Sequence, residues 1–279
     1  MRNNIIAIMY DFDKTLCTRD MQEYTFFPNM GLDAEKFWET TNDLRVNNKM
    51  DQVLSYMYLM FKKAAENNRT LKRDFLNEMG RDIELFPGVL EWFDRITEYG
   101  KSLGFEIEHY IISAGLKEII EGSKIGDRFK CIFASEFFYN EDGNAMWPKL
   151  AVNYTNKTQF LMRINKGILD ISDDNSLNDK MLENERRIST SNMIYLGDGF
   201  TDVPCMKLTK ESGGVSVAVY TDNNRDMAKK LLNDGRINYM VPADYREGTE
   251  IDLIIKKTIK SMAINTELKN ITYKQANNE

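Results

Sequence analysis

An apolar run, Ile5-Ile6-Ala7-Ile8-Met9-Tyr10, stops abruptly at two carboxylates one residue apart, Asp11 and Asp13, followed by Lys14 and Thr15. The run reads as a buried strand. In extended backbone, side chains two residues apart point the same way, so both acids converge on one atom or one ion. In open α/β sheets, ligands bind beyond the carboxyl ends of the strands. A second apolar run, Asn192-Met193-Ile194-Tyr195-Leu196, leads into Gly197-Asp198-Gly199-Phe200-Thr201-Asp202, where glycines permit a tight turn and two more carboxylates follow. Four acids at two strand ends suit a hard divalent cation with oxygen ligands. Mg²⁺ fits best, being held by one or two carboxylates, retained waters and a substrate phosphate.

The segments Asp11-Phe12-Asp13-Lys14-Thr15 and Gly197-Asp198-Gly199-Phe200-Thr201-Asp202 resemble the first and fourth motifs of the haloacid dehalogenase superfamily, DxDx[TV] and a GDxxxD-type acidic turn. Its second motif, a strand ending in Ser or Thr, is matched by Glu108-His109-Tyr110-Ile111-Ile112-Ser113-Ala114-Gly115. Its third, a lysine opening a helix, is read at Lys157 in Asn156-Lys157-Thr158-Gln159-Phe160-Leu161, with Lys166 as the alternative. The motifs occur in the expected order and frame most of the chain, in a manner similar to the phosphoserine phosphatase-like branch.

The resemblance implies that Asp11 attacks phosphorus to form an aspartyl phosphate and that Asp13 acts as general acid and then general base. It implies that Mg²⁺ is bound by Asp11, the Asp13 backbone carbonyl and Asp198. Asp202 would support that site through a water or by orienting Lys157. Lys157 would screen the dianionic ester, and Ser113 with backbone N–H groups near Phe12, Asp13 and Ala114 would hold the phosphoryl oxygens. Within the superfamily, the acid two residues after the nucleophile favours a phosphatase over a dehalogenase or transport ATPase. The expected function is Mg²⁺-dependent hydrolysis of a small phosphomonoester. The alternatives are a phosphotransferase or mutase using the same aspartyl phosphate, and a non-catalytic phosphate-binding protein. Phosphoserine enzymes use an acid soon after the first motif and a cap arginine to hold the amino acid; here Asp20 or Glu23 and Arg45 are the residues available.

The elements that must position these groups follow from the remaining pattern. Strands are expected near 107–112, 130–134, 193–196 and 215–219, separated by helices, so the fold class is α/β: a doubly wound parallel sheet, a Rossmann-like core, with a small inserted helical cap. The core is expected from 1–16 plus 86–265, the cap from 17–85 and a fraying polar tail from 266–279. Cap helices are predicted near 33–47, 50–67 and 71–80, with Phe37, Trp38, Met50, Met57, Tyr58, Met60 and Phe61 mostly forming the cap's own core. A hairpin with an Asp-Gly turn is predicted around Asn140-Glu141-Asp142-Gly143-Asn144, and residues 170–192 read as a polar surface excursion.

Composition narrows the function classes. The 279 residues carry a formal net charge of −6 with 42% hydrophobic residues, which suits a soluble enzyme rather than a nucleic-acid binder. No apolar run is long enough to span a membrane, and Met1-Arg2-Asn3-Asn4 passes directly into a strand without an apolar leader, so a cytoplasmic location is expected. Cys17, Cys131 and Cys205 match neither a disulfide framework nor a CxxC metal site and read as reduced thiols. The one histidine, His109, lies within an apolar strand and reads as a satisfied core residue, which leaves no Ser-His or Cys-His nucleophile. Oligomeric state is not readable from the sequence.

Overall fold

The computed structural model describes residues 4–277, so Met1-Arg2-Asn3 and the last two residues of the expected tail lie outside the described residues. Seven strands form one sheet: β1 (Ile5–Tyr10), β2 (Glu106–Leu116), β3 (Cys131–Tyr139), β4 (Ala145–Leu150), β5 (Met193–Gly197), β6 (Val215–Tyr220) and β7 (Tyr239–Pro242). Their order is β4-β3-β2-β1-β5-β6-β7, parallel throughout except for the antiparallel β3–β4 hairpin. The chain winds from β1 out to β4 and then returns to the other side of β1 as β5. The carboxyl ends of β1 and β5 therefore meet at the switch point of the sheet, where such folds open a cleft.

The apolar run of β1 is explained by burial on both faces. Ile6, Ile8 and Tyr10 enter one core, while Ile5, Ala7 and Met9 enter the other. Helices cover both sides: α1 (Phe26–Met30), α2 (Ala34–Asn48), α3 (Gln52–Glu66) and α4 (Arg73–Met79) form one insertion after β1. The remainder are α5 (Val89–Ser102), α6 (Lys117–Gly122), α7 (Lys157–Lys166), α8 (Asp174–Asn178), α9 (Val203–Glu211), α10 (Arg225–Asn233) and α11 (Glu250–Asn277). Asp33 caps α2 by accepting from the Lys36 N–H, and Asp51 caps α3 by accepting from Val53 and Leu54.

The expected α/β class, the helical insertion and the hairpin turn are all present; Gly143 takes the left-handed φ of +75° that the turn requires. Four details differ from expectation. β7 was not expected, because four residues ending in a proline at a sheet edge carry little strand signal. The stretch from Asn265 onward is not frayed but continues α11 to Asn277, with Met262, Ala263 and Thr266 buried on the core side. In the insertion, Phe37, Met57 and Met60 are buried as expected, whereas Tyr58 and Phe61 are exposed and Trp38 and Met50 half-buried. Residues 170–192 are polar but tied down. Buried Arg163 donates to the carbonyls of Asp170 and Ile171, and Arg187 donates to both carboxylate oxygens of Glu108 at 2.6 Å.

His109 sits in an aromatic cluster on the α5 side of the sheet. Trp92 Nε1 donates to the Tyr10 hydroxyl (2.9 Å), which lies 3.0 Å from His109 Nδ1, and Thr97 Oγ1 lies 3.1 Å from His109 Nε2. Burial lowers its pKa from 6.5 to about 3. The unfolded chain thus takes up a proton below pH 6.5 that the folded chain refuses until about pH 3. Stability from this group is present above that window and is lost as pH falls through it, at up to about 1.4 kcal/mol per pH unit. His109→Gln, which cannot titrate there, should flatten the fall in urea-measured stability between pH 6 and pH 4, at roughly that slope. Parallel curves for the two proteins would show that the folded state accepts the proton.

Candidate active site

Asp11 leaves the end of β1 with its N–H donating to the Leu196 carbonyl of β5 (2.9 Å), so the first and fourth motifs are fastened through backbone. Lys157 opens α7 with its side chain fully buried, donating to Asp11 Oδ1 (3.0 Å) and Asp202 Oδ1 (2.8 Å). Asp202 is also fully buried and accepts from the Tyr195 hydroxyl (2.8 Å) and the Gly199 N–H (3.3 Å). Gly197 makes room for it, since a Cβ there would lie 2.6 Å from the Asp202 carboxyl carbon. Lys166, at the other end of α7, donates to the carbonyls of Leu177 (2.5 Å) and Asp179 (2.7 Å), so the lysine that meets the motif acids is Lys157.

Asp13 lines the same cleft as Asp11. One of its oxygens accepts from the Met21 N–H (2.8 Å), and the other is hemmed in by Gly115, whose replacement by any larger residue would place Cβ 2.9 Å from it and 2.1 Å from Met21 Cε. Phe12 is buried and turns the chain, its carbonyl accepting from Leu16 (2.9 Å). Ser113 is buried at the end of the pairing region of β2, where its oxygen accepts from the Gly115 N–H (3.1 Å) and its own hydroxyl proton is left to donate. The Ala114 carbonyl accepts from Tyr56 of α3 (2.6 Å) and Ser135 of β3 (3.0 Å). Asn224 donates to the Asp198 carbonyl (3.1 Å) and holds the acidic turn.

Carboxylate oxygens of Asp11, Asp198 and Asp202 all lie within 4.8 Å of one another. Burial, and then repulsion by Asp202, pushes Asp11 up to about 6. Asp198 is pushed well above the usual carboxylate range by burial, Asp202 and Asp11, and Asp13 by burial, Asp20 and Asp11. Burial works against the charge of Lys157, yet Asp11 and Asp202 hold its pKa above the ordinary value. The cluster therefore carries more negative charge than its lysine offsets. Hard oxygen donors with that surplus fit a divalent cation such as Mg²⁺, with Asp11 and Asp198 open to it and Asp202 already committed to Lys157, Tyr195 and Gly199.

Of the sequence-predicted residues, Asp11, Asp13, Ser113, Ala114 and Asp198 thus line one cleft of about 410 Å³ together with Trp38 and Tyr56 of the insertion, while Lys157 and Asp202 are buried against Asp11 and Phe12 is buried between the two motif acids. Sequence reasoning missed Tyr195, Met21 and Gly115. Tyr195 reads as an ordinary strand residue, and Met21 acts through its backbone N–H, which no side-chain pattern signals. Gly115 stood in view next to the second motif, where a glycine after a strand is a common turn signal. Among the described residues no helix is long and apolar enough to cross a membrane.

Comparison with known proteins agrees with this geometry. Residues 8–207 match the sequence profile of the haloacid dehalogenase-like hydrolases. A Borreliella burgdorferi protein of uncharacterized function is 29% identical, covering 90% of this chain and 95% of its own length. Among solved structures, a HAD family hydrolase from Salmonella enterica subsp. enterica serovar Typhi superposes with a TM-score of 0.60 at 18% identity, covering 92% of this chain and 71% of that one. A phospho-aspartyl intermediate analogue of phosphoserine phosphatase gives 0.55 at 13% identity, covering 92% and 99%. With a profile match over most of its length and the four motifs gathered at one switch-point cleft, the chain belongs to the haloacid dehalogenase-like hydrolase family.

Proposed function

We propose that the protein is a Mg²⁺-dependent phosphatase of a small phosphomonoester, working through an aspartyl phosphate on Asp11. The observation that carries this reading is the second acid: Asp13 lines the same cleft as Asp11 and is pushed toward its protonated form, as a general acid must be. The solved phosphoserine phosphatase neighbour, described as a phospho-aspartyl intermediate analogue, supports it. The insertion 17–85 would act as the cap that excludes water and selects substrate, since Trp38 and Tyr56 already wall the cleft.

In this reading, Asp11, Asp198 and the Asp13 backbone carbonyl would hold Mg²⁺, which neutralises phosphoryl charge when bound. Lys157 fixes one Asp11 oxygen and leaves the other to attack phosphorus. As the new bond to Asp11 forms, the ester oxygen leaves and takes its proton from Asp13. Asp13 then accepts a proton from water, which attacks the aspartyl phosphate, releasing inorganic phosphate and regenerating Asp11. The Ser113 hydroxyl and backbone N–H groups near Phe12 and Ala114 hold the phosphoryl oxygens. Asp202 keeps Lys157 in place rather than touching substrate.

Phosphate release from p-nitrophenyl phosphate with Mg²⁺, with EDTA and with Asp11→Asn tests the assignment. Turnover should need the metal, and Asp11→Asn should lower kcat by about a thousandfold or more. Metal-independent turnover, or an active Asp11→Asn protein, would overturn it. Asp13→Asn should cost an alkyl phosphate about a hundredfold or more, and p-nitrophenyl phosphate distinctly less in the burst of nitrophenolate, because that leaving group needs no proton. Equal losses would remove Asp13 from the role of acid.

Lys157→Met should also destabilise the fold, by about 3–5 kcal/mol in metal-free urea denaturation, because it strands the fully buried Asp202. Adding Asp202→Asn should recover part of that loss. Additive losses would mean that the pair is not coupled.

A further inference from the structure

Gln22 lies in a short helical turn, Met21–Glu23, directly after the residue whose N–H holds Asp13. It lines the cleft and is only 2% exposed, yet no group among the described residues donates to its amide oxygen Oε1. A buried acceptor without a donor gives up its hydration and recovers nothing, so folds keep few of them. Among the residues lining the cleft, only Trp38 has another such atom, and its indole N–H has the Glu23 carboxylate beside it. The other unpartnered buried atoms, such as those of Asn165 and Thr209, belong to residues that do not line the cleft. The phosphatase reading gives Gln22 no part.

Resting on that reading, we propose that Gln22 determines specificity: its amide binds a hydroxyl of the leaving group, so the substrate is the phosphomonoester of an uncharged, hydroxylated alcohol. An amide presents an acceptor and donors side by side. A hydroxyl matches both, because it donates to Oε1 and accepts from an amide N–H, whereas an ammonium group only donates and a carboxylate only accepts. The rest of the insertion's lining has the same character, with the amides of Asn42 and Gln52 and the hydroxyl of Thr41 on that wall. Its two charged members, Asp20 and Arg45, are of opposite sign, and Asp20 is already bonded to Lys14. The Met21 N–H ties the turn to Asp13, the acid that would protonate the ester oxygen, so the group Gln22 reads is on the leaving group.

The test is kcat/KM on two esters of matched size, 2-hydroxyethyl phosphate and propyl phosphate, with ethanolamine phosphate as the ammonium ester and p-nitrophenyl phosphate as reference. Wild type should favour the hydroxyl ester over the propyl ester by about tenfold or more, because a site built to bond a hydroxyl is left unpaired by an analogue that lacks it. It should also favour the hydroxyl ester over ethanolamine phosphate. Gln22→Met, close in size and shape, should bring the hydroxyl-to-propyl ratio down to about one. Its urea midpoint should stay at or above that of wild type, since the unpaired acceptor is gone. A ratio that Gln22→Met leaves unmoved overturns the inference, and a lowered midpoint beside it would make Gln22 a purely structural residue. A wild-type ratio near one, or a preference for ethanolamine phosphate, overturns it equally while leaving the phosphatase reading intact, and decides the matter even where Gln22→Met does not fold. If no alkyl ester is turned over, calorimetric binding of the hydroxyl and propyl esters by wild type decides through the same preference or its absence. The phosphatase reading falls only where p-nitrophenyl phosphate is left intact as well.

Discussion

The site depends on one buried cation. Lys157 has no exposed surface and bridges Asp11 at the end of β1 to Asp202 after β5. Taking three charges out of water is costly, and attraction at 2.8–3.0 Å offsets that cost only where the remaining lone pairs also find donors. The Tyr195 hydroxyl and the Gly199 N–H provide them for Asp202. One Asp11 oxygen is left out of this arrangement, and that is the oxygen a substrate can meet. The lysine's pairing thus does two things at once: it joins the two acidic strand ends to α7, and it determines which oxygen of Asp11 remains free.

The sheet explains why such a cluster can exist in a folded chain. Buried strands on both sides of β1 make the backbone rigid up to Tyr10 and Leu196, so the acids begin where apolar packing ends. Their burial and then their mutual repulsion, which together raise the pKa of Asp11 and Asp198, stay inside the cleft instead of being relieved by splayed chains. Gly197 and Gly115 contribute through absent side chains, the first leaving a gap that the Asp202 carboxylate fills and the second one filled by Met21 beside Asp13. A cation and a phosphoryl group are the natural complements of what remains.

The chemistry was the most readable part of the sequence, because carboxylates placed directly after a buried apolar strand are costly unless a cation or a ligand faces them. Asp11, Asp13 and Asp198 could be named from their own few neighbours. The sequence favours Lys157 but leaves Lys166 open as the alternative, since both sit on one helical run and only tertiary structure shows that α7 points its first residue at Asp11 and Asp202 while its last binds the carbonyls of Leu177 and Asp179. Residues 170–192 read as a surface excursion because polar composition hides their anchors, the buried Arg163 of α7 and the pairing of Arg187 with buried Glu108. The continuation of α11 was hidden in the same way: a polar stretch becomes ordered when one face, here including Thr266, meets the core.

The insertion was legible as helices, but the wall those helices build at the cleft was not, for a physical reason. Its contribution to the cleft is a wall assembled from different helices, with Trp38 and Arg45 from α2 and Tyr56 from α3, and no short pattern records that they share a surface. The part of it formed by α2, α3 and the residue capping α3 is linked to the core near the cleft by single hydrogen bonds, from Tyr56 to the Ala114 carbonyl and from Asn153 to Asp51. Each is worth about 1 kcal/mol net, so they orient the wall without locking it. At the far end, α4 and the turn after it approach α6 so closely that a Cβ on Gly80 or Gly122 would collide with backbone. The insertion is thus packed closely against the core both at α4 and at Met21 beside Asp13, and α2 and α3 span the distance between them. The acids are fixed by the strand ends of the sheet, whereas the wall that faces them is set by α2 and α3.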